Sequence, residues 1–342
     1  MYETDIKEAI YKCSKCGLCQ CVCPIFIATK NELYLPRGRF ITLNNYFNNN
    51  TTLSKKFIDD LDVCLNCNAC KNFCPSNIDS EQIFTFFKSK YKKSLIPFSL
   101  RYKLILIFHS IKRFFVKNQL YKVNIKKINL NISEKRAQVV YFQGCFNRYI
   151  NPSDKNAAIN LLKMNGYNII KKIDKCCGLM YWSDGDLVNY KKNAENIIKL
   201  IPKNTEYVVT SCDSCYKSLS KILANTEFKV KRLDGLIEFN FDKNNILYYK
   251  PFSRNTNNIK LNIINKKGFC SFMENYFLIK HNKLAKKIID TVKFNQEEFN
   301  EKILLTSCNL SKWGLIEYFK MKNLNVKIQT LAEYIFSNYS NH

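Results

Sequence analysis

A cysteine-rich stretch near the amino terminus, Cys13-Ser-Lys-Cys16-Gly-Leu-Cys19-Gln-Cys21-Val-Cys23-Pro24, determines the fold. Three of its cysteines are three residues apart, and a fourth follows four residues later, directly before a proline. A C-x2-C-x2-C-x3-C-P run of this kind holds an iron–sulfur cluster through cysteine thiolates. The same spacing recurs residue for residue at Cys64, Cys67, Cys70 and Cys74, again before a proline. The same spacing occurs twice in one chain, which a chance match does not explain.

The two runs predict an interlocked pair of metal sites. In two-cluster ferredoxins the fourth cysteine of each run ligates the other cluster. We therefore expect one 4Fe-4S cluster at Cys13, Cys16, Cys19 and Cys74, and a second at Cys64, Cys67, Cys70 and Cys23. Cys21 remains, and we predict that it is a buried cysteine outside both sites, with ligand exchange as the alternative. Zinc is the competing metal, but a four-thiolate zinc site would leave the third C-x2 step and the Cys-Pro endings unexplained.

About forty residues separate the two runs, which favours a small helix bundle, and we assign residues 1–90 to a helical ferredoxin domain. Apolar residues at helical spacing predict a short helix over residues 2–12. Pro36, in Leu35-Pro36-Arg37-Gly38-Arg39, predicts the start of another. Arg37 and Arg39 are candidate cofactor-binding residues that would compensate the charge of thiolate-ligated clusters. Ordinary surface charge is the alternative.

The composition narrows the class of protein. The 342 residues are 46% hydrophobic, which suits two or three globular domains. Sixteen cysteines without an apolar signal segment at residues 1–10 favour metal-bound thiolates in a reducing, cytoplasmic compartment over a secreted disulfide scaffold. The net charge is +26, and the lysines that carry most of it are spread from end to end of the chain among many asparagines and isoleucines. We therefore expect no nucleic-acid partner, and instead an acidic protein or the anionic inner face of the cell membrane.

Missing motifs exclude further chemistry. The nine glycines never form a G-x-G step, so the chain has neither a dinucleotide-binding fingerprint nor a phosphate-binding loop. Three histidines are too few for a histidine-rich metal site. Hydride chemistry on a flavin or nicotinamide must therefore, if present, take place on another polypeptide.

Residues 91–137 are predicted to form a basic linker with one or two amphipathic helices. The apolar stretch from Leu95 to Phe115 is interrupted by Arg101, Lys103 and other charges, so it lacks the ~20 nearly uncharged residues of a membrane span. Packing between domains is one fate of such helices, and docking on a membrane surface or a partner is the other.

From Gln138 onward strands alternate with helices, which predicts a parallel α/β domain over residues 138–240. Ligands in such sheets bind beyond the carboxyl ends of the strands. Five cysteines fall in loops of this kind: Cys145, Cys176, Cys177, Cys212 and Cys215.

Residues 241–342 are predicted to repeat this unit in degenerate form. Val208–Cys212 is similar to Leu304–Cys308, 96 positions later. Tyr248 and its neighbours replace the segment of Cys145, Cys270 stands near the Cys-Cys-Gly position, and Ser311 replaces Cys215. Cys270 and Cys308 cannot hold a cluster by themselves.

Taken together, these motifs resemble the iron–sulfur subunit of glycolate oxidase and its relatives in lactate utilisation, anaerobic glycerol-3-phosphate dehydrogenase and heterodisulfide reductase. The resemblance implies an α+β multidomain fold, an all-α two-cluster ferredoxin domain followed by two α/β cysteine-rich (CCG) repeats. It also implies a third iron–sulfur cluster at Cys145, Cys176, Cys177, Cys212 and Cys215.

In that family an FAD-containing dehydrogenase subunit oxidises a 2-hydroxy acid, and the iron–sulfur subunit passes the electrons toward quinone. A third subunit or a membrane surface is a further expected partner. The alternative within the same family is a catalytic subunit that reduces a heterodisulfide or another disulfide at the CCG site. The incomplete second cysteine set weakens that alternative, because disulfide reductases of this kind use two complete sets.

Overall fold

The computed structural model describes residues 2–92, 100, 104, 137–237, 246–251, 263–268, 281–291, 299 and 302–339. Most of the expected basic linker and Cys270 lie outside these ranges.

The N-terminal part is helical, as the sequence predicts. Its α-helices are α1 (Glu3–Tyr11), α2 (Pro24–Thr29), α3 (Pro36–Phe47), α4 (Lys55–Asp60), α5 (Ala69–Asn72) and α6 (Ser80–Tyr91). Prolines occupy the first positions of α2 and α3, where the missing N–H costs no helical hydrogen bond. Asp79 caps α6 by accepting a hydrogen bond from the backbone N–H of Gln82 at 3.0 Å. The expected helices at the amino terminus and at Pro36 are thereby confirmed.

An aromatic core holds these helices together. Phe40, Leu43, Phe84 and Phe87 are fully or almost fully buried in it. The rings of Phe40 and Phe84 lie 5.7 Å apart. The cysteine runs lie at the ends of these helices, so the bundle acts as the frame that positions two loops.

The rest of the described chain contains two four-stranded sheets. Their strands are β1 (Gln138–Phe142), β2 (Asn168–Ile173), β3 (Tyr207–Thr210), β4 (Lys229–Arg232), β5 (Ile246–Pro251), β6 (Ile263–Gly268), β7 (Ile303–Thr306) and β8 (Lys327–Thr330). The strand orders are β2-β1-β3-β4 and β6-β5-β7-β8, and every pairing is parallel. The second sheet therefore repeats the topology of the first.

Helices follow the strands in both units. They are α7 (Gly144–Tyr149), α8 (Pro152–Met164), α9 (Leu179–Asp184), α10 (Leu187–Leu200), α11 (Asp213–Ile222), α12 (Asn282–Asp290), α13 (Asn309–Met321) and α14 (Leu331–Tyr339). The predicted helices at Pro152 and Asp186 are confirmed, with Asp186 as the cap of α10. The short helices α7 and α9 were not predicted. Cys145 lies in α7 and Cys215 lies in the first turn of α11, where loops were expected for both.

The helical part packs against the first sheet unit through α6 and α9. Lys88 of α6 is fully buried and donates a hydrogen bond to the carbonyl oxygen of Ser183. Lys92 pairs with Asp62, at 2.9 Å, and with Asp184. Gly185 ends α9 with φ +87°, and a Cβ there would lie 2.7 Å from the backbone nitrogen of Ser89. This close approach brings the cysteine loops of the helical part next to those of the sheet.

Candidate metal centres

The two N-terminal cysteine runs share one backbone conformation. Lys15 and Gly17 in the first run have φ values of +59° and +81°, and Asn66 and Asn68, at the matching positions of the second run, have +51° and +54°. Glycine and asparagine tolerate this left-handed region best. The N–H of Asn66 points to the sulfur of Cys64 at 3.4 Å, as a donor to a charged sulfur would. The repeated spacing thus encodes a repeated loop shape.

The first cavity, called site 1, lies at the surface of the helical part. It has a volume of about 420 Å³, and its lining includes Cys13, Cys16, Cys19 and Cys74. Cys16 is exposed, and the other three cysteines are partly buried. Arg37 also lines site 1 and forms an ion pair with Glu32. Glycine is favoured at position 17, because its φ of +81° strains other residues and a Cβ there would displace the Arg37 guanidinium, 2.8 Å away.

The second cavity, called site 2, lies deeper in the chain. It also has a volume of about 420 Å³, and its lining includes Cys23, Cys64, Cys67 and Cys70. Arg39 and Glu81 line it as well. Cys70 contributes to the walls of both cavities, so sites 1 and 2 are neighbours.

The structure thus brings Cys23 to the second run and Cys74 to the first, which is the arrangement that the cross-ligation rule requires. The ligand assignments themselves stay predictions. The prediction for Cys21 was wrong in one respect, because this cysteine is exposed. It lies at the end of a surface turn, Leu18–Cys21, and lines neither cavity.

Burial raises the pKa of the Cys23 thiol to about 11 and that of the Cys70 thiol to about 12. At the exposed Cys16 the backbone N–H of Leu18 lowers the thiol pKa instead. Because iron–sulfur clusters bind thiolates, cluster insertion at site 2 must displace the protons that Cys23 and Cys70 hold firmly.

A third cavity, called site 3, lies beyond the carboxyl ends of the strands of the first sheet. It has a volume of about 400 Å³ and is lined by five predicted site cysteines: Cys145, Cys176, Cys177, Cys212 and Cys215. Gly144 is essential to its shape: its φ is +74°, and a Cβ there would lie 2.8 Å from the sulfur of Cys215. The N–H of Gly178 points to the sulfur of Cys176 at 3.4 Å. Five cysteine sulfurs around one cavity, one of them facing a backbone N–H, fit an iron–sulfur cluster.

The site 3 cysteines are neighbours in the order Cys145, Cys176, Cys177, Cys215, Cys212 and Cys308. Cys308 comes from the second sheet unit, is fully buried, and lies 3.9 Å from the hydroxyl of Ser214. Sequence reasoning did not place Cys308 here. The 96-residue repeat was the available signal, since it equates Cys308 with Cys212.

A buried polar network joins the two sheet units behind site 3. Asn309 donates to Asn147 at 2.7 Å and to the carboxylate of Asp154 at 3.0 Å. Ser211 also donates to Asp154, and its hydroxyl lies 3.1 Å from that of Tyr141. Burial and the charge of Glu333 raise the pKa of Asp154. These contacts fix the second sheet unit against the wall of site 3.

Two known protein families match the parts of the chain that contain these cavities. The model of a 4Fe-4S dicluster domain matches residues 9–78, and that of a cysteine-rich domain, CCG, matches residues 139–220. The chain combines a dicluster domain with a CCG domain. Sites 1 and 2 lie in the dicluster domain, and site 3 lies in the CCG domain. Iron–sulfur clusters are therefore its cofactors, although no group of three or more His, Cys, Asp or Glu side chains in the described ranges has the geometry of a single-ion site.

Curated relatives come from two kinds of oxidoreductase. The chain is 25% identical over 231 residues to one subunit of the dihydromethanophenazine:CoB–CoM heterodisulfide reductase of Methanosarcina mazei, covering 60% of this chain and 56% of that protein. It is 20% identical over 271 residues to the glycolate oxidase iron-sulfur subunit of Escherichia coli, covering 71% and 66%. The probable glycolate oxidase iron-sulfur subunit of Bacillus subtilis is 21% identical over 254 residues, covering 60% and 57%.

The chain thus spans between about half and two thirds of the length of these relatives. All three are subunits by name, which supports a place for the dicluster and CCG domains in a multi-subunit oxidoreductase. None of the helices in the described part of the chain is long and apolar enough to cross a bilayer.

Proposed function

We propose that this protein is the iron–sulfur electron-transfer subunit of a 2-hydroxy-acid dehydrogenase complex of the glycolate or lactate type. An FAD-containing subunit supplies the electrons, and they leave toward quinone. One observation carries the proposal: sites 2 and 3 are joined by direct contacts. Lys217 of α11 donates a hydrogen bond at 2.6 Å to the carbonyl oxygen of Asn66, which lies between Cys64 and Cys67.

Further contacts strengthen this joint between the sites. Cys212 caps α11 and Cys215 lies in its first turn, so the helix that bears Lys217 begins at site 3. Leu65 of the site 2 loop shares one buried apolar core with Cys177, Cys212 and Cys215. Such dry, close packing favours passage of electrons between the two sites.

Site 1 is suited to meet the electron donor. Cys16 is exposed, and the side chain of Leu18, which also lines site 1, is 48% exposed. Phe73, next to Cys74, is 53% exposed. In this proposal these exposed apolar side chains beside site 1 contact the protein partner. When bound, the iron–sulfur clusters supply one-electron redox chemistry, and the chain itself supplies the thiolates, the dry surroundings and the docking surface.

A second candidate function is reduction of a disulfide at site 3. The similarity to the Methanosarcina heterodisulfide reductase favours it, as does a thiol-lined cavity in the CCG domain. In this version the same electrons would end on a disulfide substrate, and each bond cleaved would take up two electrons and two protons.

Anaerobic purification tests the proposal. We expect about eight irons per chain from sites 1 and 2, and roughly four more if site 3 holds a cluster. Paramagnetic resonance signals should appear on mixing with the FAD subunit, captured anaerobically with this chain, and its hydroxy acid. A preparation with clearly fewer than about eight irons contradicts the two-cluster core. Disulfide turnover with a low-potential donor and without any flavoprotein would favour the second candidate.

A further inference from the structure

Arg39 is a buried cation beside site 2. Its side chain is 1% exposed and lines the cavity with Cys23, Cys64 and Cys67. One terminal nitrogen donates to the carbonyl oxygen of Asp60 at 2.8 Å, and the guanidinium lies 4.9 Å from the ring centre of Phe84. Its Nε is buried without a hydrogen-bond partner, and none of the ion pairs found between described residues includes Arg39. A buried guanidinium with an unused N–H costs free energy unless an acceptor or an anion compensates it.

The cations near site 1 are different. Arg37 lies two residues earlier on α3, but Glu32 neutralises it in an ion pair. Lys15 also lines site 1 and is exposed to solvent. Exposed and paired charges are screened by water and salt, so they act weakly on a nearby cluster.

The lysines next to site 2 add to the positive charge of Arg39. Glu81 lines the cavity, but Lys217 and Lys221 pair with its carboxylate at 3.0 and 3.2 Å. One buried carboxylate therefore stands against three cations. The two lysines reach water, whereas Arg39 is 1% exposed, so Arg39 is the cation of the three whose charge acts strongly on site 2.

We infer that Arg39 tunes the electron affinity of site 2, raising its reduction potential above that of site 1. A one-electron reduction adds a negative charge to a cluster, and net charge, hydrogen bonds to sulfur and solvent exposure set its potential. Burial alone would lower the potential of site 2. The unpaired guanidinium opposes this and offers its free N–H to a sulfur acceptor.

This inference deepens the proposed function and rests on it, because both sites must hold clusters. It gives the dicluster domain a direction. When one electron passes from site 1 to site 2, site 1 is oxidised and site 2 is reduced. No bond forms or breaks, and no proton moves. Site 2 is also the site joined to site 3, so electrons would move from the exposed site 1 through site 2 toward site 3.

The test is a redox titration followed by paramagnetic resonance on the full iron-loaded chain. Signals are assigned with Cys67→Ser, which removes a site 2 thiol. In the unmodified protein the signal lost in Cys67→Ser should titrate at the higher potential. Arg39→Gln should lower the equilibrium constant for reduction of that cluster at least tenfold. For one electron this lowers its reduction potential by about 59 mV. Arg37→Gln is the matched control and should move the site 2 signal much less.

The outcomes separate the inference from the proposed function. A loaded protein whose site 2 signal does not move in Arg39→Gln, or whose two signals move equally, overturns the inference alone. If Arg39→Gln fails to load site 2, the order of potentials in the unmodified protein and in Arg39→Lys decides, and a site 2 potential at or below that of site 1 overturns it. An iron content well below about eight per chain contradicts the proposed function before any potential is measured.

Discussion

At the scale of single residues, two cysteines that are two positions apart have different surroundings. Cys23 precedes Pro24 at the start of α2 and lines site 2. Cys21 ends a surface turn and is exposed. Pro24 and Ile25 at the start of α2 are buried, so the chain passes from the surface into the interior between these two cysteines.

This difference predicts separate effects of two serine substitutions. Cys23→Ser should remove roughly four irons per chain, and the loss should fall on the cluster of the second run. Cys21→Ser is the matched control and should keep the full iron content. Iron analysis and paramagnetic resonance on anaerobic samples measure both. Loss of the first run's signal in Cys23→Ser would refute the cross-ligation assignment.

At the scale of elements, α11 connects the dicluster and CCG domains. Lys217 and Lys221, one turn apart on this helix, both pair with the fully buried carboxylate of Glu81 in α6. Asn68 of the site 2 loop donates to the same carboxylate at 2.8 Å. Burial raises the pKa of Glu81, but the attraction of the two lysines outweighs it and lowers the pKa.

Glu81→Gln should therefore loosen this joint. Removing one partner of a fully buried ion pair costs about 3 kcal/mol or more, and because the lysines reach water we expect roughly 2 kcal/mol here. Anaerobic thermal unfolding should show a lower midpoint, with easier proteolysis between the domains.

The matched control is Glu3→Gln, which breaks the pair between Glu3 and Lys90, whose side chains are 45% and 38% exposed. It should change the midpoint little, since exposed pairs contribute about 0–1 kcal/mol. Equal midpoints for Glu81→Gln and the unmodified protein would show that the joint does not depend on this carboxylate.

At the scale of the whole molecule, the second sheet unit depends on a buried ion pair. Lys312 of α13 contacts Glu333 of α14 at 2.7 Å, with side-chain exposures of 2% and 0%. Ser153 of the first unit donates to the same carboxylate at 2.6 Å. Burial raises the pKa of Glu333, but the charge of Lys312 and these hydrogen bonds outweigh it and lower the pKa.

A lowered carboxyl pKa stabilises the fold at a pH above the ordinary glutamate pKa of about 4.3, and the stabilisation is lost as the pH falls through the folded value. Glu333→Gln should thus be roughly 3 kcal/mol less stable than the unmodified protein at pH 7. The gap between their unfolding midpoints should shrink below about pH 4.3.

Measuring that gap at each pH cancels any loss of clusters common to both proteins. The matched control is Glu317→Gln, whose partner Lys320 lies 3.6 Å away on the surface of the same helix. It should show a small gap that pH hardly changes. A Glu333→Gln gap that stays constant on acidification would remove the basis for the assignment.

The local chemistry of this protein follows from its sequence alone. Cysteine spacing specifies two equivalent loops, because a loop's backbone conformation depends on a few adjacent residues such as Gly17 and Asn68. Alternation of apolar segments predicts the parallel α/β units and most of their helices. The placement of five cysteines after strand ends predicts site 3, because parallel strands present their carboxyl ends at one edge.

What lies next to these loops follows only from the way the chain packs. Packing exposes Cys21, buries Arg39 beside site 2, brings Cys308 against Cys212 from 96 positions away, and joins sites 2 and 3 through Lys217. Burial and contact between distant segments depend on how whole elements fit together, and no local pattern records that fit. Residue spacing therefore specifies which groups can bind iron and sulfur, while packing sets their surroundings and hence the relations between the sites.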